Sequence, residues 1–268
     1  MARCLAARGM EIESLSAQGA SVRVGDRLLD LGFADLRRTL FQADPSQAAQ
    51  IVERHIQLVM ESSGGGPGVH DDLDNLFPRI VGPSVPGEGD LPWEEEIIEG
   101  RLHLRLVADD EHSLRFLRPM ELVRTGVSVR ELRERARANL EVSSAGIPLV
   151  PAVGAEGAFL VSQGDGHDAS RLLVAHHWFP AAPGVFCLAP ARDVLWVVPG
   201  NVAGAISVAL RLVDRVLDQY RTLPYPVSPS LFWKDQTALT CIPVTKSGGS
   251  WCADLPEEVR LRIEGLLH

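Results

Sequence analysis

The order of apolar and polar positions predicts strands at the start of the chain and helices after them. Ser21-Val22-Arg23-Val24 alternates strictly, and glycines flank it, so residues 10–31 are predicted to form a strand pair. The spacing of apolar positions then changes to three and four residues. This spacing predicts helices near residues 33–41 and over residues 45–61.

A glycine-rich segment follows these elements. Residues 62–68 carry no side chain able to contribute to a core, and no GK[ST] triplet follows them as in a phosphate-binding loop. We therefore expect a small N-terminal α+β unit over residues 1–62, a linker over residues 63–70 and a main domain over residues 71–268.

The main domain mixes hairpins with helices and lacks a regular β-α-β alternation. Alternating positions over residues 102–106, an Asp109-Asp110 turn and a return strand at residues 114–116 predict a hairpin. The other predicted strands cover 157–162, 184–189, 194–198 and 239–244, and the predicted helices cover 128–142, 169–177, 201–220 and 256–267. This mixture predicts an α+β fold, mainly antiparallel sheet with packed helices.

Charge and composition exclude several classes of function. The 268 residues carry a net charge of −9, and only Lys234 and Lys246 among the 26 basic residues are lysines. This balance argues against nucleic-acid binding. A Pro-Gly-Asn break inside the apolar window 194–213 argues against membrane insertion. Four widely spaced cysteines fit neither a zinc site nor a disulfide framework, so we expect a cytoplasmic protein without cofactors or metal.

The densest polar cluster surrounds Asp168 and is followed by the pair His176-His177. Asp168 could cap a short helix that ends near the two histidines. Alternatively, Asp165, His167 and Asp168 could bind a metal together with one later histidine. A third alternative makes Ser170 a nucleophile with His167 as its base. Because metal-ligand spacing and a nucleophile elbow are both missing, the capping interpretation is favoured.

A second polar cluster, Ala191-Arg192-Asp193, lies between two apolar strands. It is interpreted either as a hairpin tip or as a partly buried ion pair. Guanidinium groups suit carboxylates and phosphates, so Arg171 and Arg192 together could also bind one anionic group. The candidate binding residues are Asp168, Ser170, Arg171, Arg192 and Asp193.

Basic residues in two further places have alternative interpretations. The predicted helix over residues 128–142 begins with a capping box, Ser128 and Glu131, and its outer face carries Arg130, Arg133, Arg135 and Arg137. This face could bind an anion, but a solvated face partly neutralised by glutamates is favoured. Lys234 precedes Asp235, which predicts a salt-bridged lysine.

Five short motifs occur in one order and together resemble the YtpQ-like bacterial family, a domain of unknown function. The motifs are Asn75-Leu76-Phe77-Pro78, Ser113-Leu114-Arg115-Phe116, Asp168-Ala169-Ser170-Arg171-Leu172-Leu173, Pro190-Ala191-Arg192-Asp193-Val194-Leu195 and Pro226-Val227-Ser228-Pro229-Ser230-Leu231-Phe232. The resemblance covers about residues 71–236 and departs at His176-His177-Trp178. It implies an intracellular bacterial protein and assigns no catalytic residues.

The expected function is that of a non-enzymatic protein-interaction or regulatory module whose partner is another protein. Three tryptophans in loop-like settings are candidate interface residues, with partial burial at a core edge as the alternative: Trp93, Trp178 and Trp251. The alternative function is a small-anion-binding enzyme or hydrolase that uses the clusters around Arg171 and Arg192.

Overall fold

The computed structural model describes residues 11–15, 19–24, 27–32, 52, 75–83, 92–109 and 114–265. The chain divides into two compact units. The first comprises residues 1–71 with 109–114, and the second comprises residues 72–108 with 115–268. The predicted linker over residues 63–70 lies outside the described residues, so its role as a domain boundary stays a prediction.

The first unit contains a three-stranded antiparallel sheet. Its strands β1 (Glu11–Leu15), β2 (Gly19–Val24) and β3 (Arg27–Gly32) lie in sequence order. The sequence predicted two strands in this region, whereas the structure has three. The third strand, Arg27–Gly32, pairs antiparallel with β2 over its whole length. The predicted helix near residues 33–41 lies outside the described residues, and only Val52 of the second predicted helix is described, in helical conformation.

The second unit contains the remaining elements in a mixed order. They are β4 (Leu76–Val81), β5 (Glu94–Ile98), β6 (Leu102–Asp109), β7 (Leu114–Phe116), α1 (Pro119–Arg124), α2 (Val129–Ser144), β8 (Val150–Pro151), β9 (Phe159–Val161), two 3₁₀ helices (Ala169–Leu173 and Ala175–Trp178), β10 (Val185–Ala191), β11 (Val194–Pro199), α3 (Ala205–Thr222), β12 (Leu231–Lys234), β13 (Leu239–Ile242), β14 (Val244–Ser247), β15 (Ser250–Ala253) and α4 (Glu257–Glu264). Separate helices and antiparallel sheets confirm the predicted α+β class.

A six-stranded antiparallel sheet, ordered β13-β12-β10-β11-β9-β8, forms the centre of the second unit. All seven residues of strand β10 are buried. Successive side chains of a strand point to opposite faces of the sheet, so both faces of β10 are covered. Phe186 and Leu188 pack against α3, whereas Val185 and Cys187 pack towards the first 3₁₀ helix and the smaller sheet. That smaller sheet has the order β4-β6-β5, and β7 pairs with β6.

Helix α2 forms where the capping signal and the apolar spacing predict it. The hydroxyl of Ser128 accepts a hydrogen bond from the Glu131 backbone N–H at 3.2 Å. Leu132, Ala136 and Leu140 are buried along the inner face of the helix, which packs against β4. One face of α2 is therefore held in the core, and its arginines lie on the remaining surface.

Helix α3 begins three residues later than predicted. Asn201 was expected to cap it, but residues 201–204 form turns in which the Ala205 backbone N–H bonds to the Val202 carbonyl. Gly204 adopts a left-handed conformation with φ of 66°, so the helix begins only at the next residue. Within the described residues, no helix is long and apolar enough to cross a membrane.

Strand β12 carries the largest fully buried side chain of the second unit, Trp233. Its indole lies between two glycines. A Cβ on Gly184 would lie 2.5 Å from the ring, and a Cβ on Gly200 would lie 2.7 Å from it. Phe186 meets the same ring edge-on, with centroids 4.8 Å apart. Only glycine at both positions leaves room for this packing.

Candidate functional site

A buried ionic cluster surrounds Arg171 on the first 3₁₀ helix. The Arg171 side chain is 1% exposed. Its guanidinium donates to both carboxylate oxygens of Asp165, at 2.9 and 2.5 Å, and to Asp168 at 2.9 Å. Two carboxylates on one guanidinium compensate its charge, the condition under which charged groups are tolerated inside a protein, although the Arg171 Nε has no hydrogen-bond partner among the described residues.

Asp168 occupies the position that precedes the 3₁₀ helix, but its side chain does not cap that helix. The carboxylate instead accepts hydrogen bonds from the backbone N–H groups of Gln163 and Gly164, both at 3.0 Å. The capping interpretation was therefore wrong for this side chain, because Arg171 and the preceding loop supply stronger donors. Burial raises the pKa of Asp168, against the opposing effect of these backbone bonds.

The electrostatics of Asp165 lead to a prediction about acid stability. Burial acts to raise its pKa, but hydrogen bonds from Arg171 and from the His167 backbone lower it from 3.8 to about 2. A depressed pKa stabilises the folded state above the unfolded pKa, and this stabilisation is lost as the pH falls through about 2. We therefore expect Asp165→Asn to lower stability at neutral pH and to flatten its acid dependence.

Urea unfolding at a series of pH values from neutral to strongly acid checks this expectation. Asp168 stays in place in the variant, so its own titration is common to both proteins. The exposed Asp218→Asn variant is a control that should keep the wild-type slope. An unchanged slope in Asp165→Asn would show that the Arg171–Asp165 pair contributes nothing to stability.

Ser170 is part of the framework around this cluster. Its hydroxyl accepts a hydrogen bond from the Ile80 backbone N–H of β4 at 3.0 Å, in a buried setting. Arg79 of the same strand donates to the Gly166 carbonyl at 2.5 Å. The imidazole of His167 packs on the Phe77 ring at 4.7 Å between centroids. These contacts tie the polar loop to the smaller sheet.

Arg192 and Asp193 form the tip of the β10–β11 hairpin and also an ion pair, so both sequence interpretations describe part of the observed geometry. The guanidinium donates to both carboxylate oxygens at 3.0 and 2.8 Å, and it lies 4.2 Å from the centre of the Tyr225 ring. The Ala169 backbone N–H bonds to the Arg192 carbonyl at 2.9 Å. The two clusters therefore meet through the main chain.

The structure gives each charged side chain among the five candidate binding residues an internal partner. Asp168, Ser170 and Arg171 share one cluster, and Arg192 pairs with Asp193. An anion would have to displace these carboxylates to reach either guanidinium. A binding or hydrolytic role for these residues stays a prediction, and no group of three or more possible metal ligands occurs in the described part of the chain.

The three candidate interface tryptophans are half-buried. Trp93 and Trp178 pack at the edge of the core beneath the central sheet, and the Trp178 indole donates to the Ser144 carbonyl at 3.1 Å. Trp251 packs at the edge of the core beside α3, with the Lys246 ammonium 5.0 Å from its ring centre. Their role in an interface stays a prediction, since packing within the chain accounts for much of their surface.

Strand pairing places a cleft of about 590 Å³ beside α2. It is bordered by β5, at one edge of the smaller sheet, and by β13, at one edge of the central sheet. The apolar part of its lining consists of Pro78, Ile97, Leu104, Leu173 and Leu239. Its size falls within the range of ligand pockets, which combine an apolar lining with a few polar groups.

Three of the four arginines on α2 line one wall of this cleft: Arg130, Arg133 and Arg137. Their spacing of three and four residues puts them on one face of the helix, whereas Arg135 is exposed away from the cleft. Arg130 pairs with Glu134 at 3.0 Å, and Arg133 pairs with Glu95 at 2.8 Å. Such exposed pairs are weak and exchange readily for another anion.

Lys234 also lines the cleft, and its surroundings differ from the prediction. It is 4% exposed, and its ammonium donates to the carbonyl oxygens of Asp235 and Ala238. The Asp235 carboxylate pairs with Arg262 at 3.0 Å instead. The predicted Lys234–Asp235 salt bridge was wrong because adjacent residues along a strand point to opposite sides. Burial, followed by the charge of Arg137, lowers the pKa of Lys234.

Comparisons of the chain with protein-family models, with curated proteins and with solved structures each found no match. The resemblance to the YtpQ-like family stays a prediction. Within the structure, hydrogen bonds join three of the five motifs on which it rests. The Ala169 N–H bonds to the Arg192 carbonyl, and the Val227 N–H bonds to the Pro190 carbonyl at 3.0 Å.

Proposed function

We propose that this protein is a non-enzymatic interaction module that binds an acidic, extended segment of a partner protein in the cleft beside α2. The observation that carries the proposal is the row of arginines on the wall of a partly apolar cleft, in a chain whose net charge is −9. Glu95, Glu96 and Glu134 line the same cleft. Apolar side chains of the partner would lie on the leucines of the cleft, and its carboxylates would replace the glutamates that now pair with the arginines.

Two features favour an extended segment and binding over catalysis. The lining of the cleft includes residues of two strands, β5 and β13, which contact each other, so a partner segment would lie across both of them. Ser170 and Arg171, which belong to the cluster that the alternative enzyme hypothesis uses, are held by internal hydrogen bonds. A cytoplasmic location in a bacterium belongs to the same proposal, favoured by the widely spaced cysteines and the family resemblance.

Selection of random peptides displayed on phage tests the proposal directly. We expect the selected peptides to share acidic residues interspersed with apolar ones. A synthetic peptide of this kind should bind at least about tenfold more weakly to the Arg130→Glu/Arg133→Glu variant, a loss of about 1.4 kcal/mol. Fluorescence anisotropy of the labelled peptide measures both affinities.

The matched control is the Arg135→Glu/Arg211→Glu variant. It changes the net charge equally, and both arginines are exposed on helices outside the cleft. We expect it to bind the peptide with nearly the wild-type affinity. Equal losses in the two variants would indicate non-specific charge attraction, and selected peptides without acidic residues would exclude the proposed partner chemistry.

A further inference from the structure

A second pocket, of about 290 Å³, shares Arg137 with the cleft but has its own lining. It is lined by Arg137, His176, His177, Pro180 and Gln236. These residues come from α2, from the second 3₁₀ helix and its exit, and from the turn after β12. Three segments distant in the sequence thus bring nitrogen-bearing side chains to one small volume.

The charges around this pocket are mainly positive. Arg137 is the cation that lines the pocket. Lys234 lies outside the lining, and its buried ammonium donates to the carbonyl oxygens of Asp235 and Ala238. The opposing carboxylate is Glu141, which lies 3.2 Å from Arg137 and 4.0 Å from His177. Asp235 is farther along the same turn and is already paired with Arg262.

His176 reports on this environment. Its side chain is 8% exposed, and its Nδ1 has no hydrogen-bond partner among the described residues. Burial is the main cause that lowers its pKa to about 4, and the charges of Lys234, His177 and Arg137 lower it further, against the opposing charge of Asp235. The cationic part of this effect, which is smaller than that of burial, also attracts an anion to the same place.

We propose that this pocket binds a phosphate group, as inorganic phosphate or as the phosphate of a small ester. The Arg137 guanidinium suits a doubly charged oxyanion, because arginine donates in a fixed geometry, and the nearby charge of Lys234 acts without lining the pocket. The amide of Gln236 and an imidazole N–H supply neutral donors. The proposal is independent of the acidic segment proposed for the cleft.

Isothermal titration calorimetry with inorganic phosphate, glycerol 3-phosphate and acetate at constant ionic strength tests this assignment. We expect saturable binding of at least one phosphate compound, with acetate at least about tenfold weaker. Tighter binding of the ester would indicate a metabolite site, and tighter binding of inorganic phosphate would indicate the free ion. The absence of saturable binding by both phosphate compounds would overturn the proposal.

Two substitutions separate a specific pocket from general charge attraction. Arg137→Met should weaken phosphate binding at least about tenfold, whereas Arg135→Met removes the same charge from the exposed side of α2 and should leave it unchanged. Gln236→Glu places a carboxylate in the pocket on an exposed turn that tolerates substitution, and it should also abolish binding. Equal effects of the two methionine variants would contradict the assignment.

Histidine titration provides a second readout. Sulfate stays doubly charged at weakly acid pH, so any pH dependence of its binding comes from titration of the protein. A bound dianion stabilises the imidazolium, so the pKa of His176 observed by NMR should rise in sulfate, and sulfate should bind more tightly as the pH falls. If the pKa of His176 did not change in sulfate, the anion would bind elsewhere. The Arg130→Glu/Arg133→Glu variant should keep phosphate binding, so the two proposals can fail separately.

Discussion

Replacement of Arg171 by alanine is expected to lower the free energy of unfolding by about 3–5 kcal/mol, measured by urea denaturation. The substitution leaves the carboxylate of Asp168, which is fully buried, without its cation. Asp165 loses the same partner but is partly exposed, so its share of the cost is smaller. The largest part of the loss is therefore the free energy of a buried carboxylate without its charged partner.

Two further variants distinguish this explanation from others. Arg130→Ala removes an exposed ion pair and should cost less than about 1 kcal/mol. Adding Asp168→Asn to Arg171→Ala should recover part of the loss, because the buried charges then disappear together. If Arg171→Ala kept full stability, Arg171 would not be structural, and the alternative function as an anion-binding residue would gain support.

Replacement of Trp233 by alanine is expected to cost about 3–5 kcal/mol, by the same measurement. The indole is fully buried between Gly184, Gly200 and Phe186, and the surrounding backbone cannot close the space that it leaves. Strand β12 is in the interior of the central sheet, so the cavity would open beneath β10 as well as β12.

Trp233→Phe should be milder than Trp233→Ala. Phenylalanine keeps most of the apolar volume, and the indole Nε1 that it removes has no hydrogen-bond partner among the described residues. Trp251→Ala is the control, because this tryptophan is only half-buried and its loss should cost clearly less. Equal losses for the two alanine variants would mean that the burial of Trp233 does not control stability.

Elements with a strong local signal could be predicted from the sequence. Helix α2 has a capping serine and a regular apolar spacing, and the hairpins β6–β7 and β10–β11 have polar turns between apolar strands. These signals depend on neighbours within a few residues, so they can be read without the tertiary structure. In these elements the tertiary packing agrees with the local signal. The α+β class follows from their mixture.

Elements without a local signal were missed. Strand β12 has three apolar residues and a lysine and follows several prolines, and strand β5 begins with three glutamates. Neither shows an alternation that separates an inner from an outer face. β12 becomes a strand because β10 and β13 pair with it on both sides, and β5 because it pairs with β6.

The candidate site shows the same division. The polar residues around Arg171 and Arg192 were recognised in the sequence. Only the structure shows that the charged groups within each cluster form ion pairs. The arginines of α2 were recognised as a row, and a solvated face was the favoured interpretation. The cleft that they line also needs β5 and β13, which lie tens of residues away in the sequence.

The sequence by itself determined the α+β class, helix α2, the hairpins β6–β7 and β10–β11, and the predominance of arginine over lysine among the basic residues. Only the tertiary structure decided which arginines are engaged internally and which line an open cleft. The physical reason is that an ion pair depends on distances of a few ångströms between segments far apart along the chain. Those distances arise when sheet pairing and burial place the segments together.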